Sequence, residues 1–133
     1  MRETLAEPLY ERPQISDLAS LKRYLVLTLG PLATECLVVF YLDANRRVIT
    51  HCIVEGSNDS VGIDYGRLIL KAISRGAHGL ILAHNHPSGD ASPSRADIRV
   101  TRKLADLARE FGIQLHDHLV VANKNTLSVM FEA

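Results

Sequence analysis

The stretch AHNHPSGDASPSRAD, residues 83 to 97, sets two histidines two positions apart, then a Pro-Ser-Gly turn, then a serine and an aspartate three positions apart. Alternate residues of a strand point to one side, so if LILAHNH is a strand, His84 and His86 project together from its C-terminal end. Neutral imidazoles suit zinc. A third ligand from a carboxylate leaves the fourth tetrahedral position to water, which separates hydrolytic zinc sites from closed structural ones. Asp97 is the obvious third ligand, because the turn reverses the chain and a helix starting near Ser94 carries Asp97 in its first turn. No thiolate lies nearby, in keeping with the hydrolytic kind. Each part also has an ordinary reading. Ser94 and Asp97 have the spacing of a capping box, HPSGDASPS is common turn chemistry, and a lone strand histidine is more often structural than a ligand. The combination needs several coincidences at once to be accidental.

The elements around this stretch must hold it. SDLASLKRYLVLTLG offers Ser16 or Asp17 as an N-cap, Leu18, Leu21 and Leu25 at helical spacing, and Gly30-Pro31 as a stop. TECLVVFYLD and RRVITHCIVEG are rich in β-branched and aromatic residues and predict a hairpin, with Asn45 left-handed in the DANR turn. SVGIDYGRLILKAISRGA predicts a second helix with Ile63, Ile69, Leu70, Ile73 and Ala77 inward and Gly76 as its stop, weakened by Gly62 and Gly66. HGLILAHNH is a continuous apolar run, the pattern of a strand buried on both faces. SRADIRVTRKLADLAREFG predicts a third helix with Ile98, Thr101, Leu104, Ala105, Leu107, Ala108 and Phe111 inward, ended by Gly112. IQLHDHLVVAN is the last clear strand, and TLSVMFEA adds a further one. Alternating strands and helices predict an α/β fold, a mixed sheet flanked by helices, in one domain over residues 16–133 behind an arm at 1–15 that carries Pro8 and Pro13.

A chain of 133 residues can bury a core without staples. Lys plus Arg and Asp plus Glu balance at 15 each, so no overall field draws it to nucleic acid or to an acidic membrane. The cations Arg95, Arg99, Arg102, Lys103 and Arg109 read most simply as the solvated face of a helix. Cys36 and Cys52 sit in apolar runs, as small core hydrophobes rather than a disulfide framework. The start lacks the apolar stretch of a signal peptide, and no run is long enough to span a membrane, so the expected compartment is the cytoplasm.

HNHPSGDASPSRAD also resembles the JAMM pattern of the JAB/MPN metalloprotein superfamily: His-x-His-Pro, seven residues between His86 and Ser94, and two more before Asp97. HNHPSG, PSRADI and the later DHLVV resemble the RadC branch in particular, and the likeness runs from about Leu18 to Met130. The resemblance implies a cytidine-deaminase-like α-β-α architecture, with zinc held by His84, His86 and Asp97 and with Ser94 near the metal-bound water, stabilising an oxyanion. It also asks for a glutamate on the first strand. Glu35 stands at the matching place, as the base that takes a proton from water and passes it to a leaving amine; by itself it reads as a solvent-exposed strand end. Glu55, before Gly56, is the competing carboxylate and reads as a strand exit, while GSNDS at 56–60 either borders the cleft or is only a turn.

Further along, alternation puts His116 and His118 on one face and Asp117 on the other. A hydrogen bond that orients a zinc-bound histidine suits Asp117 or His118, with a structural role as the equal alternative. The leading expectation is therefore a zinc peptidase or isopeptidase acting on a peptide or an isopeptide-linked protein. The RadC likeness supplies a rival, a DNA-repair module that binds or cleaves DNA, to which zero net charge, seven Phe and Tyr and no Trp lend little weight. A third reading is a scaffold without catalysis, against which stands the complete ligand motif. The ligand types leave iron or manganese open as alternatives to zinc.

Overall fold

The computed structural model describes residues 18–54 and 63–132. The arm at 1–15, the Ser16 and Asp17 cap, Glu55, the loop at 56–60 and Gly62 lie outside the described residues.

Helix α1 (Leu18–Thr28) buries Leu21 and Leu25, and Leu29 just past its end continues the same side at a spacing of four. It ends at Gly30, where an added Cβ would fall 2.4 Å from the Val26 carbonyl oxygen and 2.5 Å from that of Asn123. Only glycine fits such an approach. Strands β1 (Leu37–Leu42) and β2 (Val48–Val54) then form the expected antiparallel hairpin. Its turn differs in one detail: Arg46, at φ 62°, is the left-handed residue rather than Asn45. The Asp43 carboxylate accepts the N–H groups of Asn45 and Arg47, and the Arg46 N–H donates to the Asp43 carbonyl at 3.0 Å. That is a four-residue turn followed by a bulge, a geometry that places the positive φ one position later than a two-residue turn does.

Helix α2 (Tyr65–Ser74) is capped by Asp64, whose side chain accepts the Arg67 N–H, and closed by Gly76 at φ 66°. Its inward stripe is Leu68, Ile69 and Ala72, whereas Leu70 and Ile73 are 65 % and 49 % exposed. Ile69 is inward as expected and Ile63 and Ala77 lie half-buried against the same core, while Leu68 and Ala72 take the inward places expected of Leu70 and Ile73. Strand β3 (Gly79–Asn85) is buried along its whole length, as a continuous apolar run predicts. Helix α3 (Arg95–Glu110) buries Asp97, Val100, Thr101, Leu104 and Ala108 and leaves Arg95, Arg99, Arg102, Lys103 and Arg109 exposed, the solvated face expected of them. Phe111 is 54 % exposed rather than inward, because it is the C-cap, where the chain leaves the helix before Gly112 turns left-handed at φ 73°. Strands β4 (Gln114–Ala122) and β5 (Asn125–Ser128) follow, and the last segment ends as the short helix α4 (Val129–Glu132) rather than as strand alone.

The sheet order is β2-β1-β3-β4-β5, with β3 and β4 parallel and the other neighbours antiparallel, a mixed sheet. Helices α2 and α3 cover the face bearing Val39, Tyr41, Leu80, Leu82 and Leu115. Helix α1 covers the opposite face, with Val38, Phe40, Ile81, Ala83 and Leu119. This is the α-β-α layering expected of an α/β chain. Cys36 and Cys52 form no disulfide, and no described helix is long and apolar enough to cross a membrane.

Candidate metal centre

Register assembles the site. β1 and β3 pair antiparallel with Leu37 opposite His84, so two steps past the start of β1 the chain carries Glu35 opposite His86, on the face covered by α2 and α3. Glu35 thus precedes the strand instead of lying on it, and it stays partly open to solvent while His84 is buried. Glu35, His84 and His86 each offer one donor atom within 4.8 Å of the others. Asp97 closes the group from α3: Oδ1 lies 3.2 Å from His84 Nε2, and Oδ2 lies 3.3 Å from His86 Nε2. Ser94 holds that carboxylate. Its N–H donates to Asp97 Oδ2 at 2.7 Å and its Oγ accepts the Asp97 N–H at 3.0 Å, a complete capping box. The cap and the ligand readings of this pair are therefore one arrangement, since the helix cap is what aims Asp97 at the two imidazoles.

The protons of the site can be assigned by elimination. Thr101 has one hydroxyl hydrogen, which it donates to the Asp97 carbonyl at 2.7 Å; its 2.7 Å contact with His118 Nδ1 must then be donated by the histidine. Burial holds His118 down to about 3, with His84 adding to the fall, so at neutral pH its Nε2 is only an acceptor. His84 Nδ1, 3.1 Å away, must donate to it, which leaves the lone pair of His84 on Nε2. His86 obeys the same logic, because its Nδ1 lies 2.9 Å from the Asp90 carbonyl, which can only accept. The His84 Nε2 lone pair thus faces Asp97 Oδ1 with no proton to share, while His86 Nε2 lies 3.3 Å from Oδ2. Electron pairs so close repel unless a cation lies among them, and two imidazole nitrogens with a carboxylate fit a divalent cation.

Acid should expose this economy of protons. Burial pushes His84 down to about 4, with His86 adding to the fall and the Asp97 charge opposing it. Above the ordinary histidine value of ~6.5 neither state is penalised. As pH falls below it, the unfolded chain takes up protons that the folded chain refuses, and stability drains away down to the folded values of about 4 and about 3. Urea titrations in chelator should lose roughly 3–4 kcal/mol between pH 7 and pH 5 from this pair. A flat profile over that interval would contradict the neutral assignment.

Spacing alone did not reveal three contributors. The helical pattern marks Thr101 only as an inward position, and its hydroxyl bonds are invisible in that pattern. Asn85, between the two histidines, points to the other face, and the Asp90 carbonyl is backbone. His118 fulfils the expected orienting hydrogen bond. Asp117 does not; it accepts the Ser128 hydroxyl and the His118 N–H, tying β4 to β5. Nor do His116 and His118 share a face. A bulge lets Leu115 pair with Leu80 and Asp117 with Ile81, and His116 lies against Gly79, where a Cβ would fall 2.3 Å from its Nε2.

Residues 15–132 match the family of RadC-like JAB domains. A UPF0758 protein of Burkholderia mallei (strain SAVP1) is 38% identical over 128 residues, 96% of this chain and 46% of that protein. One from Cupriavidus pinatubonensis is 35% identical over 96% of this chain and 56% of its own length. One from Symbiobacterium thermophilum is 41% identical over 99 residues, 74% of this chain and 42% of that protein. The chain spans about half the length of the curated relatives it matches. The matched segment carries the sheet, the two histidines and the capped aspartate together, and the chain belongs to the RadC-like JAB domain family.

Proposed function

We propose that the chain is a zinc-dependent hydrolase of the JAMM type that cleaves amide bonds, in a peptide or in an isopeptide-linked protein. The observation that carries this reading is the convergence of metal-ligating donor atoms: His84 Nε2 and His86 Nε2 stand 3.2 and 3.3 Å from the two oxygens of Asp97. These three residues would hold the metal and leave one tetrahedral position open. When bound, zinc supplies Lewis acidity and lowers the pKa of water toward ~7. Glu35 reaches the group from the solvent side, where it takes the proton of the attacking water and returns it to the leaving amine. Ser94 Oγ accepts the Asp97 N–H through a lone pair, so its own hydrogen is available to an oxyanion. The thiols of Cys36 and Cys52 suit a reducing compartment, and we place the protein in the cytoplasm.

Elemental analysis of protein purified without a histidine tag tests the reading. About one zinc per chain is expected; no metal after zinc is supplied at neutral pH would overturn it. In the same material Glu35→Gln should keep its zinc and lose turnover of a peptide or isopeptide substrate by at least ~100-fold, the usual share of a general base. Full turnover in that variant would remove Glu35 from the role.

A DNA-acting module is the second reading, favoured by one observation. Arg95, Arg99, Arg102, Lys103 and Arg109 are exposed along α3, whose first turn carries Asp97. Binding to duplex DNA that weakens steeply between 50 and 200 mM salt, at about one log unit of slope per phosphate contacted, would move it ahead.

A further inference from the structure

Between the two histidines of HNH stands Asn85, a buried amide. Asn85 is 1% exposed and, by strand alternation, points away from the metal centre toward the face covered by α1. Its amide bonds to the backbone that leads into β1. Oδ1 accepts the Cys36 N–H at 2.7 Å, while Nδ2 donates to the Thr34 carbonyl at 2.9 Å and reaches the Leu32 carbonyl at 3.5 Å. A backbone N–H can only donate and a carbonyl can only accept, so the orientation of the amide is unambiguous. The two shorter bonds grip the peptide groups on either side of one residue, and that residue is Glu35.

The grip matters because nothing regular holds Glu35. β1 begins only at Leu37, and the ladder with β3 ends at the Leu37–His84 pair. Beyond it the backbone of 34–36 would be a solvent-exposed coil with two rotatable dihedrals per residue. We infer that Asn85 is a positioning residue, which extends the β1–β3 pairing by side-chain hydrogen bonds so that the Glu35 carboxylate stays over the imidazoles. The inference rests on the proposed function of the site. One strand end thereby supplies two ligands from one face and the support of the base from the other. Any movement of β3 carries ligands and base together.

The test is a double-substitution cycle read with zinc alone, by competition against a chromophoric chelator, in the full chain. Glu35 is an anion within 4.8 Å of the histidine donors without being counted as a ligand, so Glu35→Gln should weaken zinc only severalfold, roughly fivefold for one partly screened charge. Asn85→Leu should weaken zinc by a comparable factor when Glu35 is present and should add nothing in the Glu35→Gln background. Asn85→Asp keeps the acceptor for Cys36 and loses the donor to Thr34, and it serves as the second variant should Asn85→Leu fold poorly. In chelator, exchange of the Cys36 amide hydrogen should quicken at least ~10-fold in Asn85→Leu, which alone removes its acceptor, while the amides of β3 stay protected. Effects of Asn85 and Glu35 that multiply, or a Cys36 amide that exchanges in Asn85→Leu as in the parent, would overturn the inference while leaving the hydrolase reading intact. A parent that binds no zinc would overturn both, and is recognised by that fact.

Discussion

Asp97→Ala should release zinc and loosen a helix in a single step, and the two losses can be separated. On the proposed reading a bound metal would lose its one anionic ligand, so affinity should fall by at least the ~100-fold upper limit seen when mere supporting groups are removed. Helix α3 loses the bond that Asp97 Oδ2 accepts from the Ser94 N–H, half of its capping box, at a cost of about 1 kcal/mol. Asp97→Asn distinguishes them. Its amide oxygen still accepts from Ser94, its charge is gone, and its NH2 can donate to an imidazole lone pair 3.2 Å away that the carboxylate could only repel. Zinc binding should therefore fall almost as far, while the metal-free protein should unfold at the same urea concentration as the parent or at a higher one, by up to ~1 kcal/mol. If Asp97→Asn were clearly less stable than the parent in chelator, the facing lone pairs would be the wrong description of the pocket.

His118→Leu should damage fold and site together. The side chain is 1% exposed and is the middle of a one-way series of donated hydrogens, from His84 Nδ1 to His118 Nε2, from His118 Nδ1 to Thr101, and from Thr101 to the Asp97 carbonyl. Its removal strands a buried imidazole N–H, an expected loss of about 1–3 kcal/mol in urea titrations with chelator present. It also frees His84 to take the other tautomer, with its hydrogen on Nε2, where it cannot bind a metal. Zinc affinity should drop 10- to 100-fold, as is usual when the partner of a ligating histidine is lost. Thr101→Val removes only the far end of the series and should cost severalfold at most. Equal zinc affinity in His118→Leu and the parent would show that His84 needs no help in choosing its tautomer.

The convergence of His84, His86 and Asp97 could be read from the chain because it follows from periodicity: alternate strand positions share a face, and the first turn of a capped helix looks back toward the strand before it. Glu35 could not be, since an exposed carboxylate near a strand has no pattern of its own, and only the likeness to a known family singled it out. Thr101, Asn85 and the Asp90 carbonyl escaped because hydrogen bonds between distant segments leave no local trace. The misread positions share another cause. Leu70, Ile73 and Phe111 are apolar residues that tertiary packing left outside, and the His116 bulge breaks an alternation that any sequence window would extrapolate. Layer order and strand identity survive such errors, because a buried strand such as β3 or an amphipathic helix such as α3 sums many residues, whereas a bulge or a helix end depends on one.

β1 is apolar on both faces. Val39 and Tyr41 fill one core, Val38, Phe40 and Leu42 the other. Burial by itself therefore gives this strand little reason to prefer its register over a slip of one residue, which would turn every side chain to the opposite face. Here such a slip would leave a folded sheet with Glu35 facing α1 and nothing above the imidazoles but solvent. What discriminates are the polar contacts: the Tyr41 hydroxyl donating to the Leu68 carbonyl at 3.2 Å, and the Asn85 amide on either side of Glu35. A handful of hydrogen bonds, small beside the apolar area they accompany, separates two equally greasy alignments, only one of which brings a base to the site.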